Sequence, residues 1–291
     1  MQNLRGILLM IAAMAGFALA DMFIKLATAT LPTGQILMVM GAGGGALFAL
    51  LCLYRRIPLI SKVFFHPMIL TRNISEAIGG ASFVTAFALT DLSTTSAIMQ
   101  ASPLIITMGA ALFLHEPVGP RRWFAIGLGF LGMLIVIRPG LSGFEAASLF
   151  AVVGVIALSV RDLATRATPA QIPTPLMALY AFLLLVPTGA LILLFDGTPA
   201  LPDMTTSAQL AAMVLFGFLG YFAVTASIRS GELGVIAPFR YSRILFAMIL
   251  GILVFGERPD AATWAGTALI VGSGLYAFLR EARLARKQAM R

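Results

Sequence analysis

Long apolar runs separated by short polar punctuation fill the whole chain. The runs predict helices near residues 4–29, 34–53, 67–90, 93–114, 121–138, 146–164, 174–195, 207–228, 233–255 and 260–279. Each is close to the ~20 apolar residues that carry a helix across a bilayer. Turn signals fall between them: Leu31-Pro32-Thr33-Gly34, Arg56-Ile57-Pro58, His115-Glu116-Pro117, Arg138-Pro139-Gly140 and Asp196-Gly197-Thr198-Pro199. The pattern reads as an all-α membrane protein with ten transmembrane helices. The first run is too long for the core of a signal peptide and lacks a small-residue cleavage site, so it reads as a retained helix.

Composition strengthens this reading. Hydrophobic residues make up 59% of the 291 positions, charged residues only 11%, and mean hydropathy is +0.96. A soluble domain carries about 25% charge. Ten crossings with short connections leave no room for a soluble domain.

The net charge of +8 does not point to nucleic acid, because the basic residues sit mainly at helix ends. One set of ends holds Arg5, Arg55, Arg56, Lys62, Arg121, Arg122, Arg161, Arg166, Arg229, Arg280, Arg283, Arg286, Lys287 and Arg291, against Arg138 and Arg258 on the other. That bias places both termini in the cytoplasm of a bacterial-type inner membrane. The basic tail, residues 281–291, is positioned to touch anionic lipid. A single cysteine, Cys52, excludes an internal disulfide and a multi-cysteine metal site. His66 and His115 fall in loops beside prolines, so no metal or cofactor is expected.

A repeat runs through the chain. A shift of 141 positions, without gaps, superposes Asp21-x-x-x-Lys25 on Asp162-x-x-x-Arg166 and Pro32-Thr33 on Pro173-Thr174. The same shift takes Asp91-Leu92 to Glu232-Leu233, Glu116 to Glu257 and Trp123 to Trp264. The chain therefore divides into residues 1–140 and 141–280, five helices each. An odd number of crossings inverts the second half relative to the first. Inverted repeats with a site near the midplane characterise many secondary transporters.

The residues that carry the repeat also carry a family resemblance. Ala97-Ile98-x-x-x-Ser102-Pro103, Leu114-His115-Glu116-Pro117, Arg122-Trp123, Gly132 and Arg138-Pro139-Gly140 resemble the EamA-type half of the drug/metabolite transporter superfamily. Pro238-Phe239-Arg240-Tyr241 and Phe255-Gly256-Glu257-Arg258 resemble the matching part of its second half. The resemblance implies ten helices as two inverted five-helix repeats around a central cavity, with alternating access and no nucleotide hydrolysis.

Candidate chemistry centres on the predicted ninth helix. Arg240 lies about 10 Å and Arg243 about 15 Å from its cytoplasmic start at ~1.5 Å rise per residue. Intramembrane arginines are costly and face protein or water-filled cavities. One reading is a cavity-lining pair that holds a carboxylate, with Tyr241 adding a hydrogen bond and Pro238 a kink. The other is that the arginines pair with acids on neighbouring helices and lock packing. Gln100, Ser102, Pro103 and Thr107 make the fourth helix polar and kinkable. The repeat sets Gln100 against Tyr241 and Ser102 against Arg243, so substrate lining and helix packing both remain open for them.

Other charges pair naturally at helical spacing. Arg72 and Glu76 are one turn apart, and Glu76 is either a counter-charge to Arg240, a protonatable group, or simply the partner of Arg72. Asp21 with Lys25 and Asp162 with Arg166 read as structural ion pairs or gating contacts, Glu116 and Glu257 as loop caps. Gly127-Leu128-Gly129-Phe130-Leu131-Gly132 imitates a dinucleotide fingerprint but lacks the strand that motif follows. It and Gly41–Gly45 read as helix-packing surfaces.

These features describe a secondary transporter of small organic metabolites, with protons as a candidate coupling ion. Export of amino acids or similar carboxylate-bearing compounds is the first expectation. Uptake of a vitamin or nucleoside-like metabolite, such as riboflavin or S-adenosylmethionine, is the alternative. An enzyme acting on lipid-linked substrates is more distant, because no clustered histidines, cysteines or carboxylates are present.

Overall fold

The computed structural model describes the backbone of residues 2–115, 118–141, 144–169, 171–230 and 233–289, and the side chains of these residues other than 2, 228–230, 233, 234, 237 and 281–289. Among the described residues every regular element is helical. They are α1 (Gln2–Ala27), α2 (Thr33–Tyr54), α3 (Pro67–Leu89), α4 (Leu92–Met99), α5 (Ser102–Phe113), α6 (Pro120–Ile137), α7 (Ser148–Arg166), α8 (Thr174–Asp196), α9 (Met204–Ser230), α10 (Leu233–Ile236), α11 (Ser242–Phe255) and α12 (Ala261–Ala289). Short 3₁₀ segments cover Lys62–Phe65 and Ala237–Tyr241.

The predicted fourth and ninth helices are each interrupted. The fourth breaks at Gln100-Ala101 between α4 and α5, and the ninth passes from α10 through a 3₁₀ turn into α11. Proline explains both, since it lacks an N–H and its ring clashes with the carbonyl four residues earlier. Pro103 stands just after the first break and Pro238 inside the second. The 141-residue shift carries Gln100-Ala101 onto Tyr241-Ser242, where the 3₁₀ turn gives way to α11. The prolines themselves are not matched, so the two halves reach similar breaks by different residues. The same shift carries α2 onto α8 and α6 onto the start of α12.

Among the described residues, nine stretches are long and apolar enough to cross a membrane. The remaining predicted crossing, α3, is diluted by Thr71, Arg72, Asn73, Ser75 and Glu76 in its first half. It packs against α2, α7 and α8; Arg72, Asn73 and Ser75 are buried and Glu76 is half-buried, while Thr71 is exposed.

The chain forms two compact units, each built from both halves. The first comprises Met1–Met22, Asp91–Ala146 and Leu219–Arg291, the second Phe23–Thr90 and Ala147–Phe218. In the first, α6 lies against α12 and α4 against α11. Glycines allow the first of these crossings: a Cβ on Gly132 would stand 2.8 Å from the Gly266 carbonyl oxygen, and one on Gly266 would stand 2.6 Å from that of Gly132. In the second unit α2 lies against α8, with Gly34 and Gly189 in the same relation. Gly41 and Gly44 also face α8, so the small-residue surfaces serve close packing as expected.

Acidic side chains at helix ends satisfy the backbone N–H groups that a helix start leaves open. Asp196 accepts from the Thr33 N–H at 2.6 Å and the Gly34 N–H at 3.3 Å. Glu257, in the turn before α12, accepts from the N–H groups of Leu92 and Ser93 at 2.6 and 3.0 Å and so caps α4 rather than its own turn. Its repeat counterpart Glu116 lies outside the described residues, as do Glu232 and the side chains of the basic tail.

Asp260 caps α12 through the Thr263 N–H at 2.9 Å and also pairs with Arg138. The Arg138 hydrogen bond, then those of Thr263, lower its pKa from the usual carboxylate range to about 2. A lowered folded-state pKa stabilises the fold above the unfolded value and loses that contribution as pH falls through the folded one. Thermal melts are therefore expected to show a loss of stability between about pH 4 and pH 2 that shrinks in Asp260→Asn.

Candidate functional site

The three candidate residues of the predicted ninth helix have three different surroundings. Arg240 belongs to the 3₁₀ turn, within a span (Pro238–Phe255) apolar enough to cross a membrane, and its side chain is exposed. Among the described residues no hydrogen bond or ion pair engages it. Tyr241 is buried, and its hydroxyl abuts Gly274 of α12 without a hydrogen-bond partner. Arg243, in the first turn of α11, reaches to α1. Arg243 is thus engaged by an acid on another helix, whereas Arg240, three residues earlier, is not engaged among the described residues.

Arg243 holds Asp21 by a bidentate grip. Its Nη2 donates to Oδ1 and Oδ2 at 2.9 and 2.7 Å, and its Nε donates to Oδ2 at 3.1 Å. The guanidinium lies over the ring of Phe17, one turn earlier on α1, at 5.4 Å from the centroid. The Asp21 side chain is 8% exposed and that of Arg243 21%, so the cation is the more accessible of the two. Asp21 thus takes its hydrogen bonds from Arg243, a correction to the expected pairing with Lys25. Lys25 instead donates to the carbonyl oxygen of Thr90.

A second group of charges gathers in the other unit, between α3 and α7. Arg161 Nη1 donates to both carboxylate oxygens of Glu76 at 3.3 and 3.1 Å. Its Nε donates to Asp162 Oδ1 at 2.8 Å. One guanidinium therefore serves two carboxylates, which corrects two expectations. Glu76 is engaged by Arg161 rather than by Arg72, and Asp162 by Arg161 rather than by Arg166. Arg72 is buried and donates to the carbonyl oxygen of Met177 at 2.9 Å. Asn73, also buried, accepts from Arg72 at 3.4 Å.

Sequence reasoning counted Arg161 among loop-end charges and did not connect it with Glu76. The signal was its place one helical turn inside the end of an apolar run, next to Asp162. Phe17 and Asn73 carried no comparable signal. Of the remaining candidates, Gln100 is buried at the α4–α5 break, Ser102 is half-buried and opens α5, and Thr107 donates to the Pro103 carbonyl at 2.8 Å.

Residues 4–138 and 146–279 each match the EamA-like transporter family. The chain belongs to that family. Membership of the EamA family, within the drug/metabolite transporter superfamily, makes the protein a transporter and not an enzyme. It is 30% identical over 76% of its length to a riboflavin transporter of Rhizobium johnstonii, covering 72% of that protein. It is 27% identical over 91% of its length to a pseudopaline exporter of Pseudomonas aeruginosa, covering 93% of it. An S-adenosylmethionine uptake transporter of Rickettsia bellii is 23% identical over 78% of this chain and 77% of its own. A crystal structure at 19% identity shares the fold, with a TM-score of 0.64 over 94% of this chain and 98% of that one.

Proposed function

We propose that this EamA-family protein is a secondary transporter that exports small, carboxylate-bearing organic metabolites across the inner membrane by alternating access. The observation that carries the reading is Arg240: exposed, without an ion-pair partner among the described residues, and placed in a broken helix inside an apolar span. Such a cation is tolerable where it meets water or an anion and costly where it meets lipid. A carboxylate offers it a charge-assisted hydrogen bond. Arg243 supplies further donors one turn away, and Gln100, Ser102 and Tyr241 line the two breaks.

In this reading the repeats, residues 1–140 and 141–280, are inverted, both termini are cytoplasmic, and a gradient drives uphill movement. Protons are the candidate coupling ion. A pH gradient is therefore the first to impose. Uptake of a vitamin-like or nucleoside-like metabolite is the second reading, supported by the similarity to riboflavin and S-adenosylmethionine transporters.

Flux into and out of proteoliposomes separates the two. Labelled amino acids, riboflavin and S-adenosylmethionine are offered to the purified protein with and without a pH gradient. Amino-acid flux is expected. Movement of riboflavin with no flux of any amino acid transfers the assignment to the second reading.

A further inference from the structure

Resting on the carboxylate reading, we propose that the Asp21–Arg243 pair is a zwitterion subsite: the substrate's carboxylate meets Arg243 and its ammonium meets Asp21. The charge balance of the pair carries this. In a membrane segment, Arg243 compensates Asp21 and little else reaches that carboxylate, which is 8% exposed. A lone anion drawn to Arg243 would weaken its hold on Asp21 and leave a buried charge uncompensated, which is strongly unfavourable. A zwitterion laid antiparallel to the pair brings one charge for each partner. Every charge then has an opposite neighbour, whether the site is empty or filled.

The geometry agrees with an approach along the guanidinium edge. Nε and Nη2 are committed to Asp21, while Nη1 carries no hydrogen bond among the described residues. Phe17 covers one face of the guanidinium, which leaves the in-plane edge for a carboxylate, the direction that suits hydrogen bonding. Asp21 accepts three hydrogen bonds on two oxygens, short of a carboxylate's capacity of about four. Arg240, three residues earlier and exposed, adds a cation for substrates with a second acidic group.

The test compares three equimolar competitor pools against labelled amino-acid binding in detergent: amino acids, their deaminated acids and their methyl esters. In wild type the amino-acid pool is expected to compete at least tenfold better than either other pool. Asp21→Asn is expected to erase the preference over deaminated acids, and Arg243→Gln the preference over esters. If the deaminated acids compete as well as the amino acids in wild type, the zwitterion proposal falls and the carboxylate reading stands. If no pool competes, both fall. Where a single variant fails to fold, the exchange Asp21→Arg with Arg243→Asp decides. A pair that only braces α1 against α11 regains both folding and binding when exchanged, and that result overturns the proposal. A subsite regains folding without wild-type binding.

Discussion

Arg161→Met is expected to destabilise the protein by about 3 kcal/mol, the low end of the cost of stripping one partner from a buried ion pair. The side chains of Arg161, Glu76 and Asp162 are 26%, 17% and 29% exposed, so solvent screening keeps the figure from rising further. The loss is large because a single guanidinium neutralises two carboxylates on α3 and α7. Glu76→Gln is expected to cost less, because Arg161 retains Asp162. The measurement is the melting temperature of purified protein in detergent, with the triple variant Arg161→Met, Glu76→Gln and Asp162→Asn as the control. That variant leaves no bare charge and is expected to recover much of the loss. A wild-type melting temperature for Arg161→Met alone would show that the cluster contributes nothing to α3–α7 packing.

Arg240→Gln is expected to lower substrate flux at least about tenfold while leaving the melting temperature unchanged. A hydrogen bond to a charged group contributes about 1.5–3 kcal/mol, and about 1.4 kcal/mol corresponds to a factor of ten. Folding is spared because Arg240 is exposed and, among the described residues, no partner is lost with it. Arg240→Lys keeps the charge without the planar fork and is expected to fall between the two. Initial-rate flux in proteoliposomes, normalised to reconstituted protein, is the readout. Undiminished flux in Arg240→Gln would remove the cation from the transport path and with it the main support for a carboxylate substrate.

The two predictions rest on different kinds of legibility. Arg240 was visible in the sequence as a charge inside an apolar run, and the structure adds that it is exposed and, among the described residues, not ion-paired. The cluster around Arg161 was not visible, because nothing local distinguishes a charge at a helix end from one that reaches across to another helix. Most helix boundaries were legible to within a few residues, although α12 runs on to Ala289, well past the predicted end near 279, and prolines marked where the fourth and ninth helices break. The extra 3₁₀ turn at Ala237–Tyr241 was not foreseen.

By itself, the sequence determined that the chain crosses a membrane, roughly where most of its helices begin and end, and that two halves repeat at an offset of 141 residues. Those features are written in local periodicity and in matched spacing, which need no knowledge of neighbours. Tertiary structure alone decided the charge partners. At i,i+4 spacing Asp21 had Lys25, Glu76 had Arg72 and Asp162 had Arg166 within reach. Asp21 went instead to Arg243, 222 positions along the chain, and Glu76 to Arg161, 85 positions away. A buried carboxylate needs a donor whose shape and direction suit its own burial. Which donor that is depends on the helices that pack beside it.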